Sequence, residues 1–67
     1  MYSNNLKKLR LEKNLTQDDL SELSGISRSE IANIEVGNII NPSVYCAIKL
    51  AKILEVNVED IFILTND

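Results

Sequence analysis

Histidine is absent from the chain, and with it the commonest general base and the commonest zinc ligand. Tryptophan is absent as well, and only Tyr2, Tyr45 and Phe62 are aromatic. The single cysteine, Cys46, excludes an internal disulfide and any metal site made of cysteines alone, which fits a reducing compartment. No apolar stretch approaches the roughly 18 residues that a membrane span needs, and the polar segment from Met1 to Lys13 holds no run of signal-peptide length. The expectation is a soluble cytoplasmic chain with no membrane partner. Sixty-seven residues allow one domain, spanning 1–67, and argue against an enzyme with a deep pocket and its own lid. Without histidine, and without a cluster of carboxylates or thiols at useful spacing, no catalysis, metal, cofactor or small-molecule ligand is expected.

Positive charge is also scarce. Seven Lys and Arg stand against ten acids, a formal net charge of −3, and the pI near 4.8 argues at first against nucleic acid. The acids are unevenly spread, however. Residues 53–67 carry Glu55, Glu59, Asp60 and Asp67 with no base, a net −4, whereas residues 1–52 hold all seven bases and total +1. The acidity belongs mostly to one end of the chain.

Helical periodicity fills most of the sequence and is punctuated by caps. A first helix reads from Asn4 to Lys13, with Leu6 and Leu9 on one side, and Asn14 suits a left-handed helix end. Thr16 caps a second helix to about Ser24, with Asp19 three residues on as a short form of the capping box. Asp18 and Asp19 also complement the helix dipole there, and Leu20 and Leu23 are expected inward. Gly25 ends this helix. Ser27 caps a third, Arg28 to Val36, with Ile31 and Ile34 inward and Gly37 as its stop. After the loop Asn38–Pro42, Ser43 caps a fourth helix to about Leu54, whose inward positions read as Val44, Ala47, Ile48, Ala51 and Leu54. Asn57, with Asp60 three on, opens a short fifth helix. The apolar tail Phe62–Thr65 either covers the core or pairs as a strand with Met1–Ser3. The fold class is all-α, with five short helices in one small domain. Cys46 reads as a small core residue of the fourth helix.

Residues 16–37 carry the function. Two short helices joined by a glycine-containing turn hold the second at a wide angle, from which it can project into a DNA major groove. Small Ser21, four residues before Gly25, lets the two helices approach closely. The residues Leu9-Arg10, Leu15-Thr16-Gln17, Leu20, Gly25-Ile26-Ser27-Arg28, Ile31, Ile34-Glu35, Gly37, Asn41-Pro42-Ser43 and Ala51 to Leu54 together resemble the Cro/cI-type (XRE, lambda-repressor-like) helix-turn-helix family. The likeness covers essentially the whole chain. In length and at both ends the chain is most similar to the short cytolysin-repressor type of Gram-positive regulator.

The resemblance implies a homodimeric DNA-binding regulator and assigns roles by position. Gln17 would contact the DNA backbone and steady the first reading side chain. Ser27 would donate to a phosphate, while Arg28, Ser29, Ala32 and Asn33 occupy the outward face of the recognition helix. Arginine can bond guanine O6 and N7 in a bidentate way, asparagine suits adenine, and Ala32 could approach a thymine methyl. Each good bidentate contact contributes about 1–3 kcal/mol of discrimination. The family commonly joins Arg10 and Glu35 as a structural ion pair rather than using Arg10 on DNA. Departures exist too. The loop after Gly37 offers the neutral donors Asn38 and Asn41 where the family usually has bases, so a shallower salt dependence is expected. Glu30 on the recognition helix either accepts from cytosine N4 or repels wrong phosphates. The family's dimer contact falls around the fourth-to-fifth helix connection, which nominates Ile39, Ile40, Val56, Val58 and Ile61.

Two functions are therefore weighed. The leading one is a sequence-specific transcriptional regulator, a repressor binding double-stranded DNA at an inverted repeat as a homodimer. The alternative is a protein-interaction module, antitoxin-like or accessory, supported by the acidic C-terminal third and the adjacent Ile39 and Ile40.

Overall fold

Each helix begins where a short polar side chain can replace a missing intrahelical partner. Thr16 accepts from the Asp19 N–H at 3.0 Å while the Asp19 carboxylate accepts from the Thr16 N–H at 2.9 Å, closing the box that opens the second helix. Ser27 accepts from the Glu30 N–H and Ser43 from the Cys46 N–H, each at 3.1 Å. The Asn57 N–H donates to Asp60 Oδ2 at 2.9 Å and starts the last helix. The computed structural model describes residues 2–39 and 42–64. Its elements in order are β1 (Tyr2–Asn4), α1 (Leu6–Glu12), α2 (Gln17–Ser24), α3 (Arg28–Glu35), α4 (Val44–Leu54), α5 (Val58–Ile61) and β2 (Phe62–Leu64).

Chain reversals use the left-handed backbone where the sequence allows it. Gly25 has φ +74° and Gly37 φ +86°, the region that glycine occupies without a Cβ penalty. Asn14 and Glu55 both sit at φ +59°, Glu55 as the C-cap of α4.

The two open readings of the C-terminal tail resolve into pairing for Phe62–Leu64; Met1 and Thr65 lie outside the described residues. β1 and β2 are antiparallel, with Tyr2 opposite Leu64, Ser3 opposite Ile63 and Asn4 opposite Phe62. Asn4 thus ends a strand instead of beginning α1. Its Oδ1 accepts from the Leu6 N–H at 3.1 Å, and its amide donates to the Ile34 carbonyl at 2.9 Å. One side chain therefore joins the sheet, the start of α1 and the last turn of α3.

The core is Leu6, Leu20, Ile26, Ile31, Ile34, Leu50, Ala51, Leu54 and Ile61, drawn from all five helices and the α2–α3 turn. Three expected inward residues are exposed instead. Leu23 is 59% exposed, because a two-turn helix can aim only one edge inward and that edge is Leu20 and Ser24. Val44 is 75% and Ile48 46% exposed, whereas Leu50 is fully buried. The inward stripe of α4 is Ala47, Leu50, Ala51 and Leu54, and at about 100° per residue Ile48 lies on its flank. Ile61, nominated for a dimer contact, has no exposed surface and belongs to the core. It closes the core from α5 while its carbonyl accepts from the Asn5 N–H at 2.8 Å.

Candidate nucleic-acid interface

The α2–turn–α3 unit is held by bonds that its own sequence supplies. The Gly25 N–H donates to the Ser21 carbonyl at 2.9 Å, and the Ser21 hydroxyl donates to the Ile26 carbonyl at 2.6 Å. Ser24, 2% exposed, accepts from the Ile26 N–H at 3.1 Å. With Leu20 and Ile31 packed behind it, the turn fixes how α3 projects. Lys49 of α4 adds a donor to the Ser24 carbonyl at 3.2 Å, an interaction suited to the negative end of α2.

A buried ion pair anchors α3 from its other end. Arg10 Nε donates to Glu35 Oε2 at 2.7 Å, and the two side chains are 7% and 3% exposed. Nη2 donates to Glu35 Oε1 at 3.3 Å and Nη1 to the Leu15 carbonyl at 2.7 Å, so every guanidinium nitrogen is engaged. Gln17 joins the same carboxylate, its amide donating to Glu35 Oε1 at 3.0 Å. An amide has a second N–H and a carbonyl to offer, which suits a side chain that is anchored yet half-exposed.

On the outward side of α3, Ser27, Arg28 and Ser29 are exposed at its N-terminal end, and Ala32 and Asn33 are half-buried one turn on. The Ser27 oxygen accepts the capping bond, which leaves its O–H to donate elsewhere. Arg28 Nε lies 3.3 Å from Asp18 Oδ1 across the α2–α3 junction. The Asn38 amide donates to Asn33 Oδ1 at 3.3 Å, and the Asn38 N–H to the Asn33 carbonyl at 2.9 Å. Asn38 is thus a neighbour that orients Asn33, besides being an exposed loop residue. Asn41 and Ile40 lie outside the described residues.

Glu30 does not face the outward side. It is half-buried and its Oε2 accepts from Cys46 Sγ at 3.4 Å, so it is turned toward α4. Its place in the helix explains this, since it adjoins the buried Ile31 and Ile34 edge. Cys46 itself is half-buried and packs against the core. Among the nominated dimer residues, Ile39, Val56 and Val58 are half-buried against the core, and Ile61 is wholly within it.

Besides the Gln17–Glu35 and Glu30–Cys46 contacts, the Asp18–Arg28 pair, the Asn33–Asn38 bond and Val36, 70% exposed just beyond α3, went unread in the sequence. Spacing could have found the last, since Ser29, Asn33 and Val36 follow each other at four and three residues. The pairs needed the turn geometry.

Among the described residues, no three His, Cys, Asp or Glu side chains gather as a metal site, and no helix is long and apolar enough to cross a membrane. A family profile described as helix-turn-helix matches residues 6–61. The chain is 47% identical over 64 residues to an uncharacterised HTH-type transcriptional regulator of Methanocaldococcus jannaschii, covering 96% of each. Its backbone is similar to the restriction-modification controller protein C.AhdI of Aeromonas hydrophila, with TM-score 0.77, 36% identity and coverage of 84% of this chain and 83% of that one. It is also similar to a chain of the SinR–SinI protein complex, with TM-score 0.79 and 31% identity. That match covers 82% of this chain and 53% of the other, so the present chain spans about half of that relative.

Proposed function

The chain belongs to the Cro/cI-type helix-turn-helix family, whose members are DNA-binding transcriptional regulators, and we propose that it is a repressor that binds an inverted-repeat operator as a homodimer. One observation carries this reading. α3 is fixed at both ends, by the Ser21–Gly25–Ile26 turn and by the Arg10–Glu35–Gln17 network, and it presents Arg28, Ser29, Ala32 and Asn33 on its outward side. Arg28 and Asn33 supply bidentate donors and acceptors to base edges, while Ser27, Gln17, Asn38 and Asn41 serve the phosphates. A single short helix makes few base contacts, so two-fold pairing with half-sites about one helical turn, roughly 34 Å, apart supplies the rest.

The dimer contact is proposed around Ile39, Ile40, Val56 and Val58, with Ile61 acting from behind as core. The acids of residues 53–67 lower affinity for DNA in general without opposing a specific contact at α3. Selection of bound sequences from random DNA, followed by footprinting, tests the reading. The expected footprint is palindromic, and Arg28→Ala and Asn33→Ala relax base preference at distinct positions while the circular dichroism spectrum stays unchanged. Equal affinity for selected and scrambled duplexes at physiological salt sinks it.

The second reading, a protein-interaction module, draws on the exposed Val44, Tyr45 and Ile48 of α4, 75%, 66% and 46% accessible. Stoichiometric co-purification of a partner polypeptide with no DNA retention at low salt would favour it.

A further inference from the structure

We propose that Asp18 is a specificity-determining positioning residue that acts on DNA recognition through Arg28. The inference rests on the regulator reading above. Arg28 is the first residue of α3 and Asp18 the second of α2, and the turn brings them together with Arg28 Nε 3.3 Å from Asp18 Oδ1. Both side chains remain open to solvent, 64% and 79% exposed, and with Thr16 and Gln17 they line one shallow cleft at the start of α2.

Asp18 is spare as a cap, because the neighbouring Asp19 already closes the box with Thr16. The chemistry of the contact is selective. A carboxylate held at Nε leaves the far edge of the guanidinium, Nη1 and Nη2, as the pair of donors that matches guanine O6 and N7. A guanine edge carries only partial charges, so it can accept from that edge while Asp18 stays in place. A phosphate carries a full negative charge and is repelled by the same carboxylate. The pair is exposed and therefore weak enough to yield, so Asp18 biases Arg28 without sequestering it. The net effect is to weaken binding to arbitrary DNA more than binding to the operator, which is the ratio that sets specificity.

The test uses the full chain, the duplex obtained by selection from random DNA, and a scrambled duplex of the same composition, titrated over a salt series. Asp18→Asn should tighten binding to the scrambled duplex by about 3- to 10-fold, the scale of one exposed charge near the phosphates, with a smaller change on the operator. Preference for guanine at the Arg28 position should fall, and Asp18→Glu should restore it. In an Arg28→Ala background, Asp18→Asn should no longer change the operator-to-scrambled ratio. Thermal denaturation run alongside reads any helix-dipole role, which would shift stability equally in both backgrounds and leave base preference alone. An unchanged ratio for Asp18→Asn in the wild-type background overturns the inference while the regulator reading stands. A wild-type chain that does not distinguish the two duplexes overturns both.

Discussion

Glu35 shows how much a single residue can decide. Its carboxylate receives Arg10 Nε, Arg10 Nη2 and the Gln17 amide while 3% exposed, so three donors depend on one buried acceptor. Removing one partner of such a pair leaves a buried charge without compensation, at a cost of about 3–5 kcal/mol. A domain of this size has a total stability of only about 3–10 kcal/mol. Glu35→Ala is therefore expected to lower the urea midpoint sharply, whereas Arg10→Met with Glu35→Leu recovers much of the loss. If Glu35→Ala unfolds at the wild-type urea concentration, the network is decorative. Arg10 and Glu35 were legible in the sequence through the family resemblance, which nominated Gln17 for a DNA contact alone. That Gln17 is bonded to Glu35 was not, because its side chain could reach several acceptors and only the packing of α2 on α3 selects one.

Among the elements, α2 owes its start to Thr16 and Asp19. The Thr16 backbone N–H first, and the Thr16 side chain second, hold the Asp19 carboxyl below its ordinary 3.8. A carboxyl whose folded pKa is depressed contributes stability above its unfolded pKa and loses it as pH falls through the folded value. The cap of α2 should accordingly weaken on the acid side, beginning near pH 3.8 and continuing below it. Asp19→Asn should flatten that part of the stability curve in denaturant titrations at stepped pH, and Thr16→Ala should cost about 1 kcal/mol near neutrality. A wild-type curve of the same shape as Asp19→Asn would count against the box. Caps were the most legible part of the fold, since a hydrogen bond between residues three apart is a local event. The ends of α1 were less so, because Asn4 was claimed by strand pairing with Phe62.

At the scale of the whole molecule, the packing decides which side of each helix is inside. α4 reads Val-Tyr-Cys-Ala-Ile-Lys-Leu-Ala-Lys-Ile-Leu, apolar on more than one side, so periodicity alone admits several inward stripes. Contact with α2 and α5 selects Ala47, Leu50, Ala51 and Leu54. Ile61→Ala should thus cost about 2–5 kcal/mol, as a core truncation does, while Ile48→Ser should leave stability within about 0.5 kcal/mol. Equal midpoints for the two variants in guanidinium unfolding would reverse the assignment of core and surface.

Sequence by itself determined the caps, the glycine-marked turn and the family, because each rests on residues within a few positions of one another or on a pattern of many. It also nominated the outward residues of α3. Only the tertiary structure decided that β1 pairs with β2, that Ile61 is core, that Glu30 turns to Cys46, and that Asp18 meets Arg28. Each of these is a choice among partners distant in sequence or equally reachable by a flexible side chain. Local pattern leaves such choices open, and the closing of one core around all five helices removes the alternatives.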